Sequence, residues 1–233
     1  MLIKKIVSLF LVLLTTLSMT IPSLASIPNT QNTLEVQFND FKFTTNDYDP
    51  AKVTLEYSKK GTQEQVVIKD KAANETLEIM TVQSPAVATR SVVPYIFKRA
   101  KSYGATTVEL SVHVELYKEG SFRQINALTG SYLGITTNVA PTEIEDKTIS
   151  VWSQNNTFPT TELMFAYSGT LVASVSSSMS AEVSAELLGS GFSFNSEVDG
   201  TSYYRRSIDS TGTITDCRQS WCWELSPAPL FCK

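Results

Sequence analysis

Residues 106–117 read TTVELSVHVELY, and the alternation within them decides the fold class. Val108, Leu110, Val112, Val114 and Leu116 fall on one side of an extended chain. Glu109, Ser111, His113, Glu115 and Tyr117 fall on the other. Side chains of a strand change direction at every residue, so this pattern predicts one face in a core and one in water. Lys118-Glu119-Gly120-Ser121 reads as a turn into a hairpin partner, SFRQINAL, where Phe122 and Gln124 alternate with Arg123 and Ile125.

Further strands are predicted at 130–137, 148–154 and 162–167. Another runs from Thr201 to Asp209 and passes through a turn, Ser-Thr-Gly at 210–212, into TIT. Towards the N-terminus, LEVQF from Leu34, KVTLEYS from Lys52, EQVVIK from Glu64 and TLEIMT from Thr76 have the same character. KKGT at 59–62 and KAAN at 71–74 serve as their turns. QSPAVATRS at 83–91 reads as a linker. The expected architecture is mainly β: an antiparallel β-sandwich-like domain at 92–216, preceded by a small β-meander within 26–82 and followed by a tail at 217–233. The meander also reads as a pro-segment, released by cleavage near Arg90. No internal repeat is visible.

Between 168 and 188 the pattern is ambiguous. Leu171, Val175, Met179, Val183 and Leu187 recur every fourth residue, a spacing that fits strand or helix. Serines at 174 and 176–178 compete for their own backbone and oppose a helix, so 169–176 is predicted as strand. For 179–188 a strand is favoured over a short helix, although Gly189 offers a helix C-cap. Two amphipathic strands in this stretch would also suit a membrane-inserting hairpin, although Ala173, Ser177, Ala181 and Ala185 would make a weak lipid face.

The first 25 residues have the form of a secretory leader. Lys4 and Lys5 precede the apolar run Ile6–Leu14, and Ser23-Leu24-Ala25 offers a cleavage site that would leave Ser26 as the new N-terminus. The apolar run is about half the roughly 20 residues that a spanning helix needs, and Pro22 interrupts any continuation. Secretion to the extracellular space, from a bacterium lacking an outer membrane, is the expectation. Of 19 basic side chains the leader holds two, so 17 would remain against 23 acidic ones, a balance that disfavours nucleic acid.

The residues with chemical potential give no catalytic motif. His113 is the only histidine. With Glu109 and Glu115 it shares one face of a strand, but zinc needs three or four ligands from converging elements. No Gly-x-Ser-x-Gly elbow marks a nucleophile. Glu143, Glu145 and Asp146 read as an acidic loop after Pro141. Gly189-Ser190-Gly191 lacks the context of a phosphate cradle, and no cofactor is implied. Asn74 and Asn155 begin glycosylation-type triplets. All three cysteines lie in the tail: Cys217 and Cys222 could form a disulfide, leaving Cys232 over. Trp221 and Trp223 would share a face of an extended tail and form an amphipathic platform for a ligand. The expectation is a non-catalytic binding or structural protein near the cell surface, with a surface or wall component as partner. A membrane-active β protein and a secreted hydrolase are the alternatives, with membrane contact less favoured.

Overall fold

The computed structural model describes residues 33–85, 91–179 and 181–216. Among these residues, two antiparallel sheets of six strands make up the architecture. Sheet A holds β1 (Leu34–Gln37), β2 (Phe41–Thr45), β9 (Thr142–Ser153), β10 (Glu162–Ser176), β11 (Ser193–Val198) and β12 (Thr201–Asp216). Its order is β1-β2-β12-β10-β9, with β11 added beside β12. Sheet B runs in chain order as β3 (Val53–Lys60), β4 (Gln63–Asp70), β5 (Thr76–Gln83), β6 (Val92–Tyr103), β7 (Thr106–Glu119) and β8 (Phe122–Asn138).

The alternation that defines β7 is what buries it. Val108, Leu110, Val112, Val114 and Leu116 are each at most 2% exposed. From the facing sheet, Phe41 and Phe43 meet Phe97 of β6 edge-on, with ring centroids 4.5 and 5.5 Å apart. Such packing adds to the burial itself. One continuous core collects Val36, Leu163, Phe165 and Ile214 from sheet A with Ile68, Met80, Leu110 and Leu133 from sheet B.

The meander strands belong to these same sheets. β5 pairs with β6 from Glu78↔Lys101 to Gln83↔Ile96, across the stretch read as a linker. β2, which the sequence pattern does not reveal, pairs with β12 near the other end of the chain. Phe41 and Phe43 of β2 are buried while Lys42 and Thr44 face outward, so five residues suffice for a strand once a partner edge exists.

Three expectations are corrected. Residues 179–188 are expected as strand, but Ala181–Gly189 form a helix, α1, that buries Leu187. The serines that oppose helix lie before it, in β10 and the turn after that strand, and Ser190 closes its C-terminus by donating its hydroxyl to the Glu186 carbonyl at 2.6 Å. A two-strand hairpin within 168–188 is therefore not what this structure contains. Ser-Thr-Gly at 210–212 is not a turn, since β12 runs through it unbroken and pairs with β10 from Thr201 to Thr215. A Cβ on Gly212 would lie 2.5 Å from the Thr44 carbonyl oxygen and 2.6 Å from the Phe165 ring. The glycine is there for close approach. Finally, the acidic stretch after Pro141 opens β9: Ile144 turns partly inward opposite Leu171, while Glu143 and Glu145 face out.

Candidate functional site

Trp221, Trp223, Cys217, Cys222 and Cys232 lie outside the described residues, as do the leader and Arg90. His113 is exposed on the outer face of β7, between Ile96 of β6 and Gly130 of β8. Glu109 takes Lys98 as an ion-pair partner at 2.9 Å and accepts from the Ser111 hydroxyl at 3.2 Å. Glu145 pairs with Arg205 of β12. Among the described residues, no three His, Cys, Asp or Glu side chains are placed to hold a metal together. Ser190, in the Gly-Ser-Gly triplet, accepts from the Ala105 amide at 3.1 Å, a structural tie between α1 and the β6–β7 turn.

A cleft of about 260 Å³ lies where the β9–β10 loop crosses the start of β8. Gln124 lines it from β8; Gln154, Asn155, Thr157, Pro159, Thr160 and Thr161 line it from the loop. None of these side chains ionises. The loop is held from both ends. Ile125 and Thr160 exchange backbone hydrogen bonds of 2.8 and 2.9 Å, and the Ser153 hydroxyl donates to the Thr157 carbonyl at 2.7 Å. The Glu162 amide donates to the Thr160 hydroxyl at 3.2 Å, which in turn donates to the Glu162 carbonyl at 3.0 Å. Gln154, Asn155 and Thr157 stay exposed, so their amides and hydroxyl remain accessible from a framed loop. In the sequence this run, QNNTFPTT, stands out only as polar and as the glycosylation-type triplet at Asn155.

Beside the cleft spreads the outer face of sheet A, whose composition follows from register. On β10 the inward residues Leu163, Phe165, Tyr167, Leu171, Ala173 and Val175 are buried, which sends Met164, Ala166, Ser168 and Thr170 outward. Pairing sets Thr213, Thr211, Asp209 and Ser207 of β12 beside those four. Trp152, Ser150 and Thr148 of β9 flank Met164, Ala166 and Ser168 on the other side, and Thr44 of β2 flanks Thr213. In this central field the ionisable side chains among those described are Asp209 and, beside Thr170 on β9, Glu145, which pairs with Arg205. The outer face of sheet B carries Glu56, Lys69, Lys98, Glu109, His113 and Glu115 at the equivalent depth.

A buried charge network lies between the sheets. Arg99 of β6 is 3% exposed and Glu78 of β5 is fully buried; the guanidinium donates to that carboxylate through Nε and, at 2.8 Å, through Nη2. Arg99 also reaches across to sheet A, donating to Ser210 Oγ at 3.1 Å and standing 4.9 Å over the Phe165 ring. Asp47, in the β2–β3 crossover, accepts from Arg99, Lys101 and Ser210 at 3.1, 2.9 and 2.6 Å. Burial pushes the Asp47 carboxyl up, but the charges of Arg99 and Lys101 outweigh it and hold the group below its ordinary value. Burial disfavours the Arg99 cation, yet Glu78 and Asp47 overcome that and keep it protonated. Tyr48, pushed up by burial and then by the Glu78 charge, remains a neutral donor to Glu78 at 2.9 Å.

A second cluster ties the β1–β2 turn to sheet B. Asp40 accepts from Tyr95 at 2.8 Å, Lys118 at 2.7 Å and Arg123 at 3.1 Å. Its carboxyl is raised by burial, but these partners more than offset that and leave it below the ordinary value. Both clusters join strands distant in sequence, and neither opens into the cleft.

No protein family matches the chain, and neither a curated protein nor a solved structure matches it.

Proposed function

We propose that the chain is a secreted, non-catalytic binding protein acting at or near the cell surface, and that the cleft at Gln124 and Gln154 takes a neutral, hydroxyl-rich ligand of carbohydrate type. The uncharged lining of the cleft carries this reading. A sugar hydroxyl both donates and accepts, and a carboxamide offers a matching acceptor and two donors on one planar group. Glycoside hydrolysis requires a pair of carboxyl groups across the scissile bond; the cleft lining supplies hydrogen-bond partners and no acid or base. Export rests on the leader-like segment of Lys4, Lys5 and Ile6–Leu14, with processing after Ala25.

The test is calorimetric titration of the protein starting at Ser26 with neutral oligosaccharides released from cell-wall polysaccharide, alongside acidic ones. Neutral oligosaccharides should bind. The double variant Gln154→Ala, Asn155→Ala should weaken binding about tenfold or more, with an unchanged thermal midpoint. That is the effect of losing two or more hydrogen bonds of about 0.5–1.5 kcal/mol each. Binding of acidic oligosaccharides alone, or full affinity in the double variant, would refute the assignment.

A further inference from the structure

We propose that the outer face of sheet A is a second docking surface, and that its occupant is a neutral polysaccharide presented as a solid, ordered surface. The ligand class rests on the reading of the cleft; the surface itself rests on separate residues.

Water-facing sheet surfaces of soluble proteins are normally studded with charge of both signs, and the outer face of sheet B follows that habit with Glu56, Lys69, Lys98 and Glu109. The outer face of sheet A has a different chemistry. Its field of Thr44, Thr211, Thr213, Ser150 and Ser168 presents hydroxyls and methyl groups. Solubility alone does not call for that choice.

The geometry suits an extended solid. Neighbouring strands lie about 4.8 Å apart and like-facing residues about 6.8 Å apart along a strand. Three strands, β12, β10 and β9, with rows from Thr213 to Ser207 and Thr44 of β2 beside the first row, therefore offer a field of roughly 10 by 20 Å. Such a field, on the order of 200 Å², is well below the roughly 800 Å² per partner of a stable protein interface. A second copy of the chain is thus poorly matched. A polymer surface, on which many molecules and a neighbouring cleft bind together, gains from multiplicity instead. Threonine is stiff at χ1, so little rotamer freedom is lost when its hydroxyl and methyl are fixed against a sugar.

Charge points the same way. Lys42 and Glu35 pair at 3.1 Å along the β1–β2 border, and Arg205 pairs with Glu145 at the opposite end. These border charges neutralise each other and leave the centre without a cation for an anionic polymer or an anionic lipid headgroup. Trp152 stands half-exposed opposite Met164, giving an apolar plate on which a sugar ring can lie. Two residues later Gln154 enters the cleft, so a glycan chain lying along the face meets the cleft at the end of β9.

The experiment is sedimentation of the purified protein with microcrystalline cellulose, insoluble chitin and insoluble β-1,3-glucan, and with phosphatidylglycerol vesicles. At least one of the three polysaccharides should carry the protein down, and the vesicles should not. Ser168→Lys with Thr211→Lys, and separately Thr211→Ala with Thr213→Ala, should each reduce sedimentation at least tenfold. Cleft binding of soluble oligosaccharide and the thermal midpoint should stay unchanged. Glu115→Lys, on the opposite face, should have no effect. Sedimentation with none of the polysaccharides, with vesicles only, or undiminished in both platform variants would overturn the proposal. If soluble oligosaccharides fail to bind while polysaccharide sedimentation persists and the platform variants abolish it, the cleft assignment falls and the platform stands.

Discussion

Arg99→Met removes the cation that sits between the two sheets and leaves the rest of its surroundings in place. Glu78, fully buried, would then keep the Tyr48 hydroxyl as its side-chain donor. Asp47 would retain Lys101 and Ser210, so the orphaned charge is Glu78. Breaking a buried ion pair from one side costs about 3–5 kcal/mol, because the remaining charge stays desolvated. For a chain of this size each 1 kcal/mol moves the thermal midpoint by about 2–4 °C, so the variant should melt roughly 6–20 °C lower. Methionine roughly fills the aliphatic volume, which separates the charge effect from a cavity. The assay is urea unfolding followed by tryptophan fluorescence, with the m-value required to match the parent. Adding Glu78→Gln to Arg99→Met should restore part of the loss, since a neutral amide is far less costly to bury than an unpaired carboxylate. A loss below about 1 kcal/mol in the single variant, or no recovery in the double, would refute the claim that this network holds a buried, mutually dependent charge pair.

Two other outcomes follow from the same contacts. Asp40 and Asp47 have folded-state values below the ordinary 3.8, so their contribution is fully present above the unfolded value and is lost as pH falls through the folded one. Stability should therefore be flat on this account above about pH 5 and decline below about pH 4; a pH series of urea midpoints that shows no acid decline would contradict it. If a site-specific protease sequence is placed within 84–90 and cut, the two fragments should co-elute under native conditions and separate only in denaturant. β5–β6 and β2–β12 pairing and the Arg99–Glu78 contact all span the cut. Spontaneous release of the N-terminal fragment would instead favour the pro-segment reading.

The strands were legible wherever burial follows local alternation. β7 needed no other information, because five inward apolar residues in strict alternation have no helical equivalent. The site was not legible for the opposite reason. Gln124 and Gln154 are far apart in the chain, and the Ile125–Thr160 bridge brings their segments together. Gln and Thr in a polar run carry no signal of their own, since they stand as readily in any solvated loop. In segment 179–188 the apolar residues at every fourth place satisfy both periods, so the local pattern does not choose between helix and strand. The choice between helix and strand was made by its surroundings: β10 ends at Ser176, and the helix lays Leu187 into the core. Gly212 misled for a related reason, since a glycine that admits a facing carbonyl and ring looks in one dimension like a glycine that turns the chain.

That the chain is mainly β and antiparallel is written locally, because side-chain direction in a strand alternates residue by residue. Which strands become neighbours was decided only in three dimensions. The union of β2 with β12, the burial of Arg99 between sheets, and the gathering of serine and threonine on one outer face depend on pairing and register between distant segments. Those are settled by the joint packing of both sheets around one core, and no single stretch of the chain records them.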